Sequence, residues 1–274
     1  MMELLSHGNQ IRRGKYYLHS KFTSAVNFCS DGSFVFVVNK EVGSGPLNIV
    51  VQGVAVDSVS SLEIGSDCFY LNGNKFCFDE LKIYDSKLRI TEYIDEIFKR
   101  NIKVFESALA EFSPPKSLAF LLDERRKREF TSSFEIEYIK RFENAVRLFL
   151  SDNFLDGIKM LKGLGPGLTP SGDDFISGVL IALNLQSMIN SSGNSNVIEQ
   201  IYKTVESGNH FTTAFLRCAA NGYLFEKFKR LIYSLLNSDE DEIIQNTRSL
   251  FTIGVTSGAD QAVGFLIGIK RFIQ

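Results

Sequence analysis

The feature that most constrains this chain is a change of hydrophobic period near residue 90. Before it, short β-rich stretches alternate with Gly, Asn, Asp and Ser: SFVFVVN from Ser33, LNIVVQGVAV from Leu47, then CFYL, KFCF and LKIY. Asp31-Gly32 and Asn72-Gly73-Asn74 are turn signals, and the second lies between two apolar stretches as a tight hairpin requires. From Thr91 the spacing becomes helical. Ile94, Ile97, Phe98, Ile102, Phe105 and Leu109 recur on one face until Ser113-Pro114-Pro115 ends the run. A second face carries Ile136, Ile139, Phe142, Val146 and Phe149, and further helices are expected near 171–185, 197–205, 212–220, 223–236, 241–250 and 257–272. The chain therefore reads as α+β. An N-terminal β-rich sheet or small barrel over residues 1–90 is followed by a multi-helix domain over 91–274 that carries a glycine-rich loop.

Composition narrows the function classes. Thirty Lys+Arg against 32 Asp+Glu leave a net charge of -2, which provides no electrostatic footprint for nucleic acid. The start, MMELLSHGNQIRRGKYY, lacks the apolar run of a signal peptide, and no later segment approaches the roughly 20 apolar residues that span a bilayer. The expectation is a cytoplasmic protein with neither a nucleic-acid nor a membrane partner. Cys29, Cys68, Cys77 and Cys218 form no C-x-x-C pair and His7, His19 and His210 are scattered, so reduced thiols and no metal site are expected. The run DERRKRE from Asp123 mixes signs and reads as a solvated helix face, and SSGNSN from Ser191 as a surface loop.

The most informative segment is GLGPGLTPSGDDFISGVLIAL, residues 163–183. Gly163, Gly165 and Gly167 suit neither a helix nor a strand. They permit positive φ and close approach of a ligand. Ser171 is placed to cap the helix that follows, with Asp174 three residues on as in a capping box. A helix start after such a loop presents free N–H groups to an anion. The segment is neither a Walker loop nor a dinucleotide fingerprint. The adjacent carboxylates Asp173 and Asp174 would repel a phosphate, so one is expected to cap backbone N–H groups while the other meets a substrate donor or water-bound Mg²⁺. Beyond that possible Mg²⁺, no cofactor is implied.

The motif has an echo near the C-terminus. Residues 171–181 and 257–267 both read Ser-Gly-x-Asp-x-x-x-Gly-x-Leu-Ile, each shortly after a Gly-x-Thr. Two similar turn-to-helix units are expected, crossing closely at Gly178 and Gly264. That crossing would gather Thr169, Ser171, Asp174, Thr256, Ser257 and Asp260 around one site.

At these residues the sequence resembles the AllH family, long described as a domain of unknown function. The resemblance is carried by GLGPGLTPSGDDF, the late TSGAD, the early HSKFTSAVNF from His19 and TTAFLRCAANG from Thr212. It implies a bacterial protein similar to one subunit of the three-component oxamate carbamoyltransferase of allantoin breakdown, a branch of purine degradation. That assembly interconverts oxalurate plus phosphate with oxamate plus carbamoyl phosphate, and a hetero-oligomer with an FdrA-type subunit is implied. The resemblance brings no catalytic residues with it.

On the residues themselves, Asp173, Asp174 and Asp260 are the catalytic candidates. Gly165, Gly167, Thr169, Ser171, Gly172, Thr256, Ser257, Gly258, His19 and Asn27 are the substrate-binding candidates for a small anionic metabolite, a phosphate or carboxylate. The loop holds no Arg or Lys to neutralise a phosphate, so another subunit is a possible source. Two alternatives stay open: an assembly subunit whose loop docks a partner protein, and a metal-dependent hydrolase or lyase using Asp173 and Asp174.

Overall fold

The computed structural model describes residues 2–78, 82–90, 92–190, 193–206 and 209–272, the side chain of Asn190 excepted. Leu81, Thr91, Ser191 and Ser192, which begin the last expected strand, the change of period and the expected surface loop, lie outside the described residues. Two compact units emerge, 1–87 with 223–229 and 88–222 with 230–274.

The first unit is an open, curled sheet of strands β1 (Glu3–Gly8), β2 (Gly14–Lys21), β3 (Ala25–Ser30), β4 (Ser33–Val38), β5 (Asn48–Gln52), β6 (Leu62–Ile64), β7 (Cys68–Leu71), β8 (Asn74–Cys77) and β9 (Ile83–Tyr84). Their order is β8-β7-β6-β2-β3-β4-β5-β1-β9. Pairs β4–β5 and β1–β9 are parallel and the other neighbours antiparallel. Val26 and Phe28, Val35 and Val37, Ile49 and Val51, Phe69 and Leu71 alternate along their strands into one apolar cluster. Both turn signals close hairpins, β3 to β4 and β7 to β8. Asp31 and Gly32 take φ of 44° and 74°, Asn72 and Gly73 49° and 78°, the paired positive values that a two-residue turn needs to match strand twist. Strands β1 to β3 and the three-residue β6 were not expected. In β2 only Tyr16 is buried, which leaves no alternation to read. The stretch from Leu47 stops pairing at Gln52, and Val56 opens a short 3-10 turn.

The second unit is helical. Its chain holds α1 (Asp95–Phe112), α2 (Ser133–Phe149), α3 (Phe154–Leu161), α4 (Ser171–Asn190), α5 (Ser195–Val205), α6 (His210–Ala220), α7 (Glu226–Asn237), α8 (Glu240–Leu250) and α9 (Ser257–Phe272), with the first turn of α7 counted in the sheet unit. No described helix is long and apolar enough to cross a membrane. The run from Asp123 has no buried residue, in keeping with the solvated face expected, but it is not an α-helix. It forms a 3-10 segment, Glu124–Glu129, started by Asp123, whose side chain accepts the Arg125 N–H as an N-cap. A reciprocal capping box starts α2, with Ser132 and Glu135 satisfying each other's N–H groups. Helix α3 was unforeseen. It is short, and its Gly157 weakens the helical signal. That glycine allows α3 to pack on α2, since a Cβ there would overlap Phe149 N.

Helices α4 and α9 form the centre. Phe175, Val179, Leu180, Val263, Phe265 and Leu266 are all inaccessible to solvent, as helices apolar on every side must be. Their crossing is reciprocal. A Cβ on Gly178 would overlap the Gln261 carbonyl oxygen, and one on Gly264 the Phe175 carbonyl oxygen. Each glycine thus receives the carbonyl three residues before the other. Beside the contact, Gln261 Nε2 donates to Ser177 Oγ at 2.8 Å.

Gly178→Ala or Gly264→Ala replaces hydrogen with a methyl aimed at backbone, which no rotamer change relieves. Overpacking costs about 1–3 kcal/mol, more than the ~1 kcal/mol that alanine returns in helix propensity. Urea unfolding is expected to show a lowered midpoint for both. Gly193→Ala, which meets nothing within 4 Å, is the control and stays within about 0.5 kcal/mol of wild type. An unchanged midpoint in the first two variants refutes the close crossing.

Candidate functional site

The repeat legible in the motif extends upstream in three dimensions, because α3–loop–α4 is matched by α8–loop–α9. In the first, Leu164 N donates to Leu161 O and Gly172 N to Leu164 O. In the second, Ile253 N donates to Leu250 O and Gly258 N to Ile253 O. Gly172 and Gly258 are pressed against the carbonyls of Leu161 and Leu250, where a Cβ would overlap. Gly163, Gly165 and Gly167 hold φ of 67°, 119° and 98°, and a Cβ on Gly165 would stand 2.9 Å from Ser171 N. The loop therefore requires glycine at Gly165 on two separate grounds.

The expected local box of Ser171 and Asp174 does not form. Asp174 N donates to Pro170 O instead, and the side chains reach across the helix pair. Asp174 is influenced by the hydroxyls of Ser257 and Thr169, Asp260 by those of Ser171 and Thr256. Each aspartate thus lies beside the threonine of its own loop and the serine of the other helix, close enough to be influenced electrostatically, while its Oδ2 accepts no hydrogen bond among the described residues. Thr169 Oγ1 and Ser257 Oγ close the arrangement at 3.0 Å. All six residues expected to converge are thus brought together.

Symmetry is broken at three points. Where the first half has Asp173, the second has Ala259. Asp173 Oδ1 accepts the Gly163 N–H at 2.8 Å, so this carboxylate ties the glycine loop to α4. Asp260 Oδ1 accepts the Leu118 N–H at 2.6 Å, from a segment that sequence reasoning did not connect with the site. Tyr138 on α2 was also missed. Its phenol interacts with Ser171 and is held above its ordinary pKa, first by burial and then by Asp260 and Asp174.

Beside the loop lies a cavity of about 310 Å³ lined by Tyr138, Arg141, Lys162, Gly163, Gly165 and Pro166 among others. It contains the cations that the loop sequence lacks. Lys162 directly precedes Gly163, and Arg141 follows Tyr138 by three residues on α2, a spacing that puts both on one helix face. His19 and Asn27 belong to the sheet unit. There His19 Nδ1 bonds Ser20 Oγ at 3.0 Å with its ring edge on Phe34, and Asn27 Nδ2 donates to the same hydroxyl at 2.9 Å. Among the described residues no group of three or more His, Cys, Asp or Glu is arranged to hold a metal ion.

Residues 161–269 match the family model described as oxamate carbamoyltransferase subunit AllH. The match begins at the last residue of α3 and runs into α9, so it contains both loops and both aspartates. No solved structure matches the chain.

Asp260 has no solvent exposure. Asp174 is enclosed by protein atoms yet keeps a little accessible surface. Among the described residues, Asp174 Oδ2 and Asp260 Oδ2 accept no hydrogen bond. Burial pushes Asp260 up to about 6, against the lowering effect of Leu118 N–H and the two hydroxyls. Asp174 stands well above its usual value, raised by burial and then by the charge of Asp260. A carboxyl whose pKa is higher folded than unfolded binds its proton more tightly in the native state. Its contribution to stability is fully present below the unfolded value of 3.8 and is lost as pH rises through about 6.

Asp260→Asn keeps an Oδ1 acceptor for Leu118 N–H and cannot ionise. From pH 4 to 7 the wild type is expected to lose stability relative to this variant by on the order of 2 kcal/mol. Denaturant unfolding of the two proteins across that range checks it, and a difference that stays flat means Asp260 carries no perturbed proton.

Proposed function

We propose that this chain is a subunit of a carbamoyltransferase-type assembly and holds the amide end of a small acid between the starts of α4 and α9. Oxamate, oxalurate and carbamoyl phosphate are the substrates proposed. The observation that carries this reading is the pair of buried carboxyl oxygens, Asp174 Oδ2 and Asp260 Oδ2, with no hydrogen bond from the described residues. Unsatisfied buried acceptors are costly and call for a donor. A carbamoyl NH₂ brings two. With one proton shared by the pair, one aspartate accepts from the NH₂ while the other donates to the carbonyl oxygen, the complement of an amide. The same donor stabilises the oxyanion that forms when a nucleophile adds to the carbamoyl carbon. Thr169, Ser171, Thr256 and Ser257 orient the two carboxyls, Gly165, Gly172 and Gly258 let the backbones approach, Gly167 gives the loop its positive φ, and Asp173 holds the loop.

An assembly role fits beside this one. Phe134 on α2 and Val255 in the second loop are apolar yet 74% and 86% exposed. Such residues are covered when a partner docks, and an FdrA-type subunit is the partner proposed. All four cysteines are free, which fits a reducing compartment, the cytoplasm.

Thermal unfolding with carbamoyl phosphate, oxamate and oxalurate tests the reading. A ligand at ~100 times its Kd adds about 2.7 kcal/mol, and Asp174→Asn is expected to abolish the shift while staying folded. Equal shifts in wild type and Asp174→Asn, or none with any of the three in the presence of the partner subunit, overturn it.

A further inference from the structure

We infer that the cavity beside the glycine loop is an anion subsite, with Arg141 its main charged ligand, and that it takes the carboxylate or phosphate end of a two-ended molecule. This rests on the reading of the aspartate pair as the amide subsite, and adds where the charged end goes and which residue selects it.

Four observations converge on it. First, the helix starts are poorly placed to receive an anion, since the N–H groups of Gly172 and Gly258 are already taken by Leu164 O and Ile253 O. The positive ends of both dipoles face two carboxylates, so a second anion there meets repulsion. Second, the cavity presents Arg141 and Lys162 against one carboxylate, Glu137, a net positive lining. Arg141 is exposed and makes no hydrogen bond or ion pair among the described residues. A guanidinium with its fork unspent suits carboxylate or phosphate, which it binds through two parallel N–H bonds. Third, the loop adds backbone. Asp173 takes the Gly163 N–H, whereas the Gly165 N–H has no acceptor among the described residues. Fourth, Tyr138 lines the cavity and also interacts with Ser171 beside both aspartates. The cavity and the aspartate pair are therefore joined through one phenol, an arrangement for a ligand with an anion at one end and an amide at the other.

Isothermal titration with inorganic phosphate and with oxalate, which have no amide, probes this subsite alone. Wild type is expected to bind at least one of them, and Arg141→Gln to weaken that binding 10-fold or more without moving the unfolding midpoint. Arg141→Lys should recover part of the loss, and Glu137→Gln should tighten binding, opposite in sign. Asp174→Asn should bind the simple anions as wild type does while losing carbamoyl phosphate. No anion binding by wild type, or equal binding by wild type and Arg141→Gln, overturns the subsite while leaving the amide reading intact. Loss of anion binding in Arg141→Gln with carbamoyl phosphate unaffected by Asp174→Asn leaves the subsite standing and removes the amide reading.

Discussion

The reciprocal glycine contact between α4 and α9 determines where the chemistry can be. In a helix, residues four apart share a face. Asp174 precedes Gly178 by four residues and Asp260 precedes Gly264 by four, so each aspartate lies one turn back along the face that meets the other helix. Once Gly178 and Gly264 seat against Gln261 O and Phe175 O, the two carboxyls must converge. Their mutual repulsion opposes the crossing. It is moderated by two helix dipoles, by four hydroxyls and by a raised affinity for protons. The apolar residues around the crossing keep the pair desolvated, so one packing decision produces both the core of the helical unit and its most perturbed titratable groups.

Duplication supplies the frame, and the departures from it supply a direction. Both loops press a glycine against a leucine carbonyl and both helices offer an aspartate. Only the first loop carries alternate glycines, a tying carboxylate at Asp173 and Lys162 at its root, and only it borders the cavity with Arg141. Of Asp174 and Asp260, only Asp260 receives a main-chain N–H among the described residues, from Leu118. The two carboxyls are thus unequal, with Asp260 pinned at one oxygen and Asp174 retaining some accessible surface. A pair made unequal by its surroundings can divide donor and acceptor roles.

Much of this was legible in the sequence wherever the signal is local. The change of period separated strands from helices, Asp31-Gly32 and Asn72-Gly73 marked their hairpins, and the repeated Ser-Gly-x-Asp spacing located two helix starts. Ser257–Phe272 is helical with both ends as expected. Strand β2 escaped because burial of Tyr16 alone leaves no alternation to detect, and α3 because Gly157 serves packing at the cost of helix propensity. Tyr138, Arg141 and the Leu118 N–H escaped for another reason. They reach the site from segments tens of residues away, and periodicity identifies a buried face without saying what it faces. Even the capping reading of Ser171 failed this way. Its residue types were right for a local box, but the other helix lay closer to hand.

The unmet oxygens of Asp174 and Asp260 are also a stability argument. Replacing both side chains by apolar groups of similar size would remove a desolvation cost and a repulsion, so packing alone gives no reason for two carboxyls at this crossing. Nor do the helix starts need them as caps, since loop carbonyls take the N–H groups of Gly172 and Gly258 and Pro170 O those of Asp173 and Asp174. What remains is a demand for hydrogen-bond partners that this fold leaves unfilled and a ligand can fill. On the reading proposed, an amide satisfies it with the site holding one proton, and a bare anion does not. That difference is why the charged end of the ligand is assigned to the cationic cavity and the neutral end to the acidic crossing.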